Sequence, residues 1–303
     1  RQVARRCIYG LDINPMAVEL ARLALWIHTF VPGLPMSNLD HGLVNANSLT
    51  GIGTIEEALE ALQPGRNPGQ LDIFDEVLTE ELASAKTLLE DVANASEANK
   101  AEVQEGARLL AQARAAADTA RRIFDAAVAA RAGEIETGTI EDKESLIRII
   151  DRPEVSDASR RLSPAHMPYL FPEVFLREDP GFDVLLGNPP WEKLQIEEHS
   201  FYSLAFPGLR GLSQQEAEVK LDIIRRERPD LVRQYQAATK STQLAQRILE
   251  KGPCPGLNAG RPDLYKAFAW RMWHLVRTGG RVGVVLPRKA LEASGMKAWR
   301  LTL

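Results

Sequence analysis

Three short apolar runs, each halted by proline, constrain this chain most. They are residues 7–13 (Cys-Ile-Tyr-Gly-Leu-Asp-Ile) before Asn14-Pro15, residues 182–187 (Phe-Asp-Val-Leu-Leu-Gly) before Asn188-Pro189-Pro190, and residues 281–286 (Arg-Val-Gly-Val-Val-Leu) before Pro287. Runs this short and this apolar read as buried strands of a parallel sheet when helical patterns separate them. Gly42–Leu49 is a fourth candidate. The first intervening helix opens with Asn14 as N-cap and Pro15 at its first position, and continues through Met16 to about Phe30. Ala17, Leu20, Ala24 and Ile27 form its apolar face, widened by Ala21 and Leu25, and Pro32-Gly33 ends it. A second helix, Tyr265–Val276, precedes the turn Thr278-Gly279-Gly280. Helices alternating with short buried strands predict an α/β fold with a doubly wound sheet.

The sheet is interrupted. From about Phe74 to Arg131, Leu78, Leu82, Ala85, Leu89 and Val92 are spaced four, three, four, three, and Val103, Leu110, Ala117 and Phe124 recur every seven, joined by Ala113, Ala120 and Ala127. This heptad seam, with the polar turn Asn94–Lys100, predicts an antiparallel helical hairpin inserted into the α/β domain. Its charges are of mixed sign, as on a solvated face. Residues 192–260 are polar, charged and mostly helical, broken at Pro207-Gly208, Pro229 and Gly252-Pro253. The expected division is 1–54 for the first part of the α/β domain, 55–165 for the helical insertion, and 166–303 for the second part, with the excursion 192–260.

Hydrophobic residues at 45% allow a real core, and no apolar run reaches the length of a membrane span. Two distant cysteines offer no disulfide framework, which suits a reducing, cytoplasmic setting, and five scattered histidines give no metal-ligand spacing, so no metal is expected. The start, without an initiating Met or signal peptide, and an end in mid-pattern suggest an internal piece of a longer protein. A net charge of −4 does not favour nucleic acid; a DNA partner would have to be gripped mainly by residues beyond this stretch.

In doubly wound sheets ligands sit beyond the carboxyl ends of the strands. Asp12, at such an end, can accept from both ribose hydroxyls of a nucleoside cofactor, and Ile13 can pack on its base; the alternative is that Asp12 caps the following helix. Asn47 could read the cofactor's adenine edge, or serve only its own turn. Asn188-Pro189-Pro190-Trp191 is the sharpest feature. The exocyclic amine of adenine is a poor nucleophile because its lone pair is delocalised into the ring. The Asn188 side-chain carbonyl and the Pro189 backbone carbonyl can accept its two protons and turn that lone pair towards an electrophile. The prolines stiffen the loop and preorganise both acceptors. Trp191 offers a face for a flipped base. The alternative is a Pro-rich turn with a core Trp.

Tyr9–Ala21 resembles motif II of the gamma-type amino-methyltransferases. Asn47-Ser48-Leu49 resembles motif III, Phe182–Leu194 motif IV, and Asp263–Phe268 and Gly279–Pro287 motifs V and VI; Phe171-Pro172-Glu173-Val174-Phe175 also fits. Together they resemble the long adenine-specific DNA N6-methyltransferases of restriction–modification and BREX-type phage-defence systems. The resemblance implies a class I S-adenosylmethionine-dependent methyltransferase sheet. It implies that Asp12 binds ribose, that Ile13 and Asn47 bind the cofactor's adenine, and that Asn188, Pro189, Pro190 and Trp191 hold the target adenine of double-stranded DNA, with Tyr265 and Phe268 lining the pocket. The family's glycine-rich first motif would precede Arg1, and a target-recognition domain would follow the catalytic one; the isolated stretch is therefore expected to bind cofactor weakly and to be inactive. The hairpin could dock protein partners of a defence system. Two other readings are methylation of a protein glutamine or other amine, and a non-catalytic DNA-binding or assembly scaffold.

Overall fold

The computed structural model describes residues 1–65, 73–138, 140, 142–257 and 263–303. Residues 66–72, 139 and 141 of the expected insertion, and 258–260 at the end of the expected excursion, lie outside the described residues. The chain divides into two compact units. The first comprises Arg1–Gly187 and Ala269–Val284; the second comprises Asn188–Phe268 and Val285–Leu303.

The first unit begins with α1 (Gln2–Cys7), where a strand from residue 7 was expected, and the strand itself is the shorter β1 (Gly10–Asp12). α2 (Pro15–His28) starts as predicted: the Asn14 side chain accepts the Met16 N–H at 3.0 Å and Pro15 occupies the first turn. It stops at His28, ahead of Pro32-Gly33, with the Thr29 hydroxyl donating to the Leu25 carbonyl. The face it buries differs from the one read. Val18 is buried, with Ala21 and Leu25 against it, on Ala4, Leu39 and Leu43, whereas Leu20 and Ile27 are 57% and 60% exposed. The helix is apolar around much of its circumference, so spacing alone could not choose the packed side. β2 (Leu43–Asn45) pairs with β1 in parallel, Asp12 opposite Asn45.

After α3 (Ile55–Leu62) come α4 (Ile73–Asn94) and α5 (Lys100–Ala116), which pack on each other as the expected hairpin. Leu78, Leu82, Ala85 and Leu89 of the first helix and Leu110 and Ala113 of the second are buried, while Val92 and Val103 are only partly so. The second arm breaks at Ala117, and α6 (Asp118–Ala132) follows. The break serves two sets of neighbours: α5 packs on α4, whereas α6 also packs on α3, α7 (Lys143–Ile150) and α8 (Pro153–Leu162). The buried alanines 120, 126, 127, 129 and 132 let those helices approach closely. The hairpin turn is tied to its own unit, because Glu97 pairs with Arg1 and Arg5 at 3.3 Å each and accepts the Asn38 N–H at 3.0 Å.

Two single-turn helices, α9 (Met167–Leu170) and α10 (Pro172–Phe175), lead into β3 (Phe182–Gly187). β3 forms as predicted but is not buried: Val184 and Leu186 are 57% and 80% exposed. Its partner is β4 (Val276–Val284), again in parallel, and β4 begins earlier than the expected strand at 281. Phe182 faces Val276 but Val184 faces Arg281, so the Thr278-Gly279-Gly280 turn is a bulge within the strand. Gly279 takes φ +73°, a conformation that suits glycine. Among the described residues there are thus two two-stranded parallel pairs, β1–β2 and β3–β4. They share one apolar cluster: Ala46, Ala165, Met167, Phe171, Phe175, Phe182 and Leu275, with Leu11, Val44 and Leu185 packed against it.

The second unit contains α11 (Glu198–Ala205), a 3-10 turn at Pro207–Gly211, α12 (Gln214–Glu227) and α13 (Pro229–Glu250). Pro207 and Pro229 open helices, where the rigid ring is tolerated. Tyr202, Leu209, Leu221, Ile224 and Leu231 form its core. The first half of α14 (Leu264–Leu275) belongs here and the second half to the first unit; α15 (Lys297–Thr302) closes the chain. Among the described residues no helix is long and apolar enough to cross a membrane.

Candidate active site

Asp12 lies at the carboxyl end of β1 and is exposed. One of its carboxylate oxygens accepts the Asn14 N–H at 2.7 Å. The second has no partner among the described residues, so the helix-start role and a ligand role are compatible in one side chain. Its main-chain carbonyl takes a hydrogen bond from the Asn45 amide at 2.9 Å, which ties β1 to β2. Ile13, just past the end of β1, is 67% exposed. Behind the strand, Glu173 of α10 accepts from the Tyr9 hydroxyl at 2.9 Å and sits 2.6 Å from His41 Nε2. Burial and the neighbouring Glu173 carboxylate push the Tyr9 hydroxyl well above the usual tyrosine range.

Asn47 is partly committed. Its Oδ1 accepts the Leu49 N–H at 3.0 Å, the turn-making role, which leaves the NH2 and the second Oδ1 lone pair to address a ligand. Its backbone is held on both sides, N–H to Ser163 O at 2.7 Å and carbonyl from Ala165 N–H at 3.0 Å.

The loop after Asn47 rests on a buried ionic network that the sequence reading missed. Glu57 of α3 accepts from Arg271 of α14 at 2.9 Å and is bonded to Arg131 of α6; each of these side chains is 5–6% exposed. Burial alone would raise the Glu57 carboxyl, but the two guanidinium groups outweigh it and hold its pKa down to about 2. Beside it, His166 Nδ1 accepts the Ile52 N–H at 3.3 Å, so Nε2 carries the proton and donates to Asp125 at 3.0 Å. The only sequence signal was charge in apolar surroundings, as with Glu57 within Ile-Glu-Glu-Ala-Leu-Glu-Ala-Leu and Arg131 within an alanine-rich run.

In the second unit, Asn188 follows directly on Gly187, the last residue of β3. Asn188, Pro190 and Trp191 are exposed and Pro189 is buried. Among the described residues the Asn188 side chain has no hydrogen-bond partner, which leaves its carbonyl available. Trp191 is 48% exposed rather than core, and its indole N–H donates to the Val285 carbonyl at 3.3 Å, fixing the ring by its edge while a face stays open. The stretch beyond is pinned as well: Leu264 N–H donates to Glu192 O at 2.9 Å, and the backbones of Lys193 and Asp263 pair in an isolated antiparallel bridge. Tyr265 is buried, with Lys289 Nζ 5.2 Å from its ring centre; Lys289 also pairs with Asp263 at 3.1 Å. Arg225 is held by Glu198, Glu218 and Asp222, and Arg228 by Asp230. These cations are neutralised within their own unit.

The strand-end loop thus presents an Asn188 amide, and the end of β1 a carboxylate oxygen, without partners among the described residues. A family model described as Eco57I restriction-modification methylase matches residues 6–207, and the chain belongs to that family. It is therefore of the DNA methyltransferase kind found in restriction–modification systems. The match takes in Asp12, Ile13, Asn47 and the Asn188–Trp191 tetrad. Neither a curated protein nor a solved structure matches the chain.

Proposed function

We propose that the chain carries the cofactor-side and target-side residues of an S-adenosylmethionine-dependent methyltransferase that modifies N6 of adenine in DNA. The observation that carries this reading is the tetrad: Asn188 exposed and unpartnered among the described residues, the prolines beside it, and Trp191 held by its edge. A planar amine with two protons to place matches two rigid acceptors, and the resemblance of Phe182–Leu194 to motif IV of the adenine N6-methyltransferases favours adenine over other planar amines. The two parallel pairs on one apolar cluster support a doubly wound methyltransferase sheet.

The residues present fit the nucleoside end of the cofactor. The free Asp12 oxygen can accept from a ribose hydroxyl, exposed Ile13 can cover an adenine face, and the Asn47 NH2 can donate to a ring nitrogen. When bound, the cofactor supplies an electrophilic methyl group. The protein's part is to expose and orient the amine. A target base must leave the helix to be reached. Trp191 gives it a stacking surface, and the Asn188 Oδ1 and Pro189 carbonyl take its two N–H bonds, so the nitrogen lone pair no longer lies fully in the ring plane's conjugation. Both acceptors are in place before the base arrives, so little reorganisation is left for the reaction.

Binding and transfer should separate by substitution in the full-length protein. Asp12→Ala should weaken S-adenosylmethionine binding in a titration. Asn188→Ala should leave that binding intact and lower the rate of methyl transfer to DNA by about 100-fold or more, as loss of a preorganised polar contact does elsewhere. Transfer by Asn188→Ala at the unsubstituted rate would sink the proposal.

A further inference from the structure

The segment Asn47–Gly53 is clasped from two sides by buried polar groups. On one side lie residues 162–167. They hold both backbone groups of Asn47, accept from the Thr50 hydroxyl at 3.2 Å (Leu162 O), and pair with Ile52 through His166 and through the Met167 N–H, which donates to Ile52 O at 2.8 Å. On the other side, Arg271 Nη2 donates to Gly51 O at 2.8 Å and to Leu49 O at 3.3 Å. Glu57 accepts the Gly53 N–H at 2.6 Å on the same oxygen that Arg271 Nη1 approaches at 2.9 Å. The glycines record how close the fit is. A Cβ on Gly51 would fall 1.8 Å from Ala165 O, and one on Gly53 would fall 2.4 Å from Arg271 Nη1.

An ionic cluster of this kind is a poor device for stability alone, since apolar residues of the same volume often do as well. What it does fix is geometry, because a planar guanidinium donates in set directions and a carboxylate accepts along its lone pairs. Its reach also spans several elements. Arg131 comes from α6, and its guanidinium donates to both the side chain and the backbone carbonyl of Glu57 on α3. Both helices lie in the stretch expected as an insertion, and Glu57 joins them to the loop that carries Asn47 through the Gly53 N–H and Arg271.

We propose that Arg271, held in place by Glu57 and Arg131, is a positioning residue for the Asn47 loop and tunes affinity for the nucleoside end of the methyl donor, not the rate of transfer. This rests on the reading of Asn47 as a cofactor contact. Removing charge from Glu57 leaves two cations buried without their carboxylate, so Glu57→Gln may be tested only if a melting curve shows that it folds. Arg271→Lys keeps the charge opposite Glu57 but loses the fork that reaches both carbonyls, and decides the matter by itself.

The experiment pairs a calorimetric titration of S-adenosylmethionine with steady-state methyl transfer by the full-length protein, with S-adenosylmethionine and DNA varied in turn, for the unsubstituted, Arg271→Lys and Asp12→Ala proteins, each checked for a cooperative melt; the dissociation constant should move with the KM for S-adenosylmethionine. Arg271→Lys should raise the KM for S-adenosylmethionine about tenfold, the scale of one lost charged hydrogen bond, with kcat and the KM for DNA little changed. A folded Arg271→Lys protein with an unaltered KM for S-adenosylmethionine, or with only kcat reduced, overturns the proposal. If Asp12→Ala raises that KM while Arg271→Lys does not, the positioning role fails and the cofactor reading stands. If the unsubstituted protein uses no S-adenosylmethionine, both fall together.

Discussion

Single side chains in this protein divide between those held for the fold and those left open. Asp12 does both: one oxygen starts α2 and the other has no partner among the described residues. Asn47 has given one lone pair of its side-chain carbonyl to a turn, which leaves its NH2 free to donate. Asn188 has no side-chain partner among the described residues, as the proposed role of accepting base protons requires. Glu57 is the opposite case, buried and fully engaged. Because its folded pKa lies near 2, below the ordinary value of 4.5, it adds stability that is complete above the ordinary glutamate range and is lost as pH falls through that interval. Thermal melts between pH 6 and pH 2 should therefore show the melting temperature dropping across this window. A folded Glu57→Gln variant, less stable at neutral pH, should show a shallower drop; an identical slope would mean that other carboxylates account for the acid response.

Elements formed where local chemistry was decisive. The Asn14-Pro15 start of α2 was legible because a cap and a proline each act within a few residues. The hairpin was legible because a repeat of small and large apolar residues leaves little choice of partner face. What depends on distant neighbours was not. The break at Ala117 follows from α3 and α8 packing on α6, and nothing at residue 117 announces it. The exposed sides of α2 and β3 are as apolar as the buried ones, so periodicity could not say which face meets a partner. At the site, the tetrad stood out by composition, whereas Arg271 and Glu57, 214 positions apart, could be joined only by the fold. The hairpin seam carries its own test. Leu82 is fully buried, so Leu82→Ala should lower unfolding free energy by about 2–5 kcal/mol in denaturant titrations. A change below about 0.5 kcal/mol, the size expected for a surface position, would mean that the seam is not packed as described.

At the scale of the whole molecule, charge and family point in different directions and the contacts reconcile them. The chain is acidic, with a net charge of −4, and Arg225 and Arg228 are bound to carboxylates of their own unit. These cations already carry partners within their own unit, and in the proposed function recognition of the target rests on the tetrad. Membership of the restriction-modification methylase family points to DNA as the substrate. α3 and α6 are joined to the Asn47 loop through Glu57, which accepts the Gly53 N–H and pairs with Arg131 and Arg271. The most direct test of the central claim is to identify the methylated nucleoside. The full-length protein would be incubated with methyl-labelled S-adenosylmethionine and mixed genomic DNA, the DNA digested to nucleosides, and the label located by mass spectrometry. The account predicts N6-methyladenine, absent when Asn188→Ala replaces the unsubstituted protein; label in methylcytosine, or none in DNA from a folded protein with cofactor bound, would contradict it.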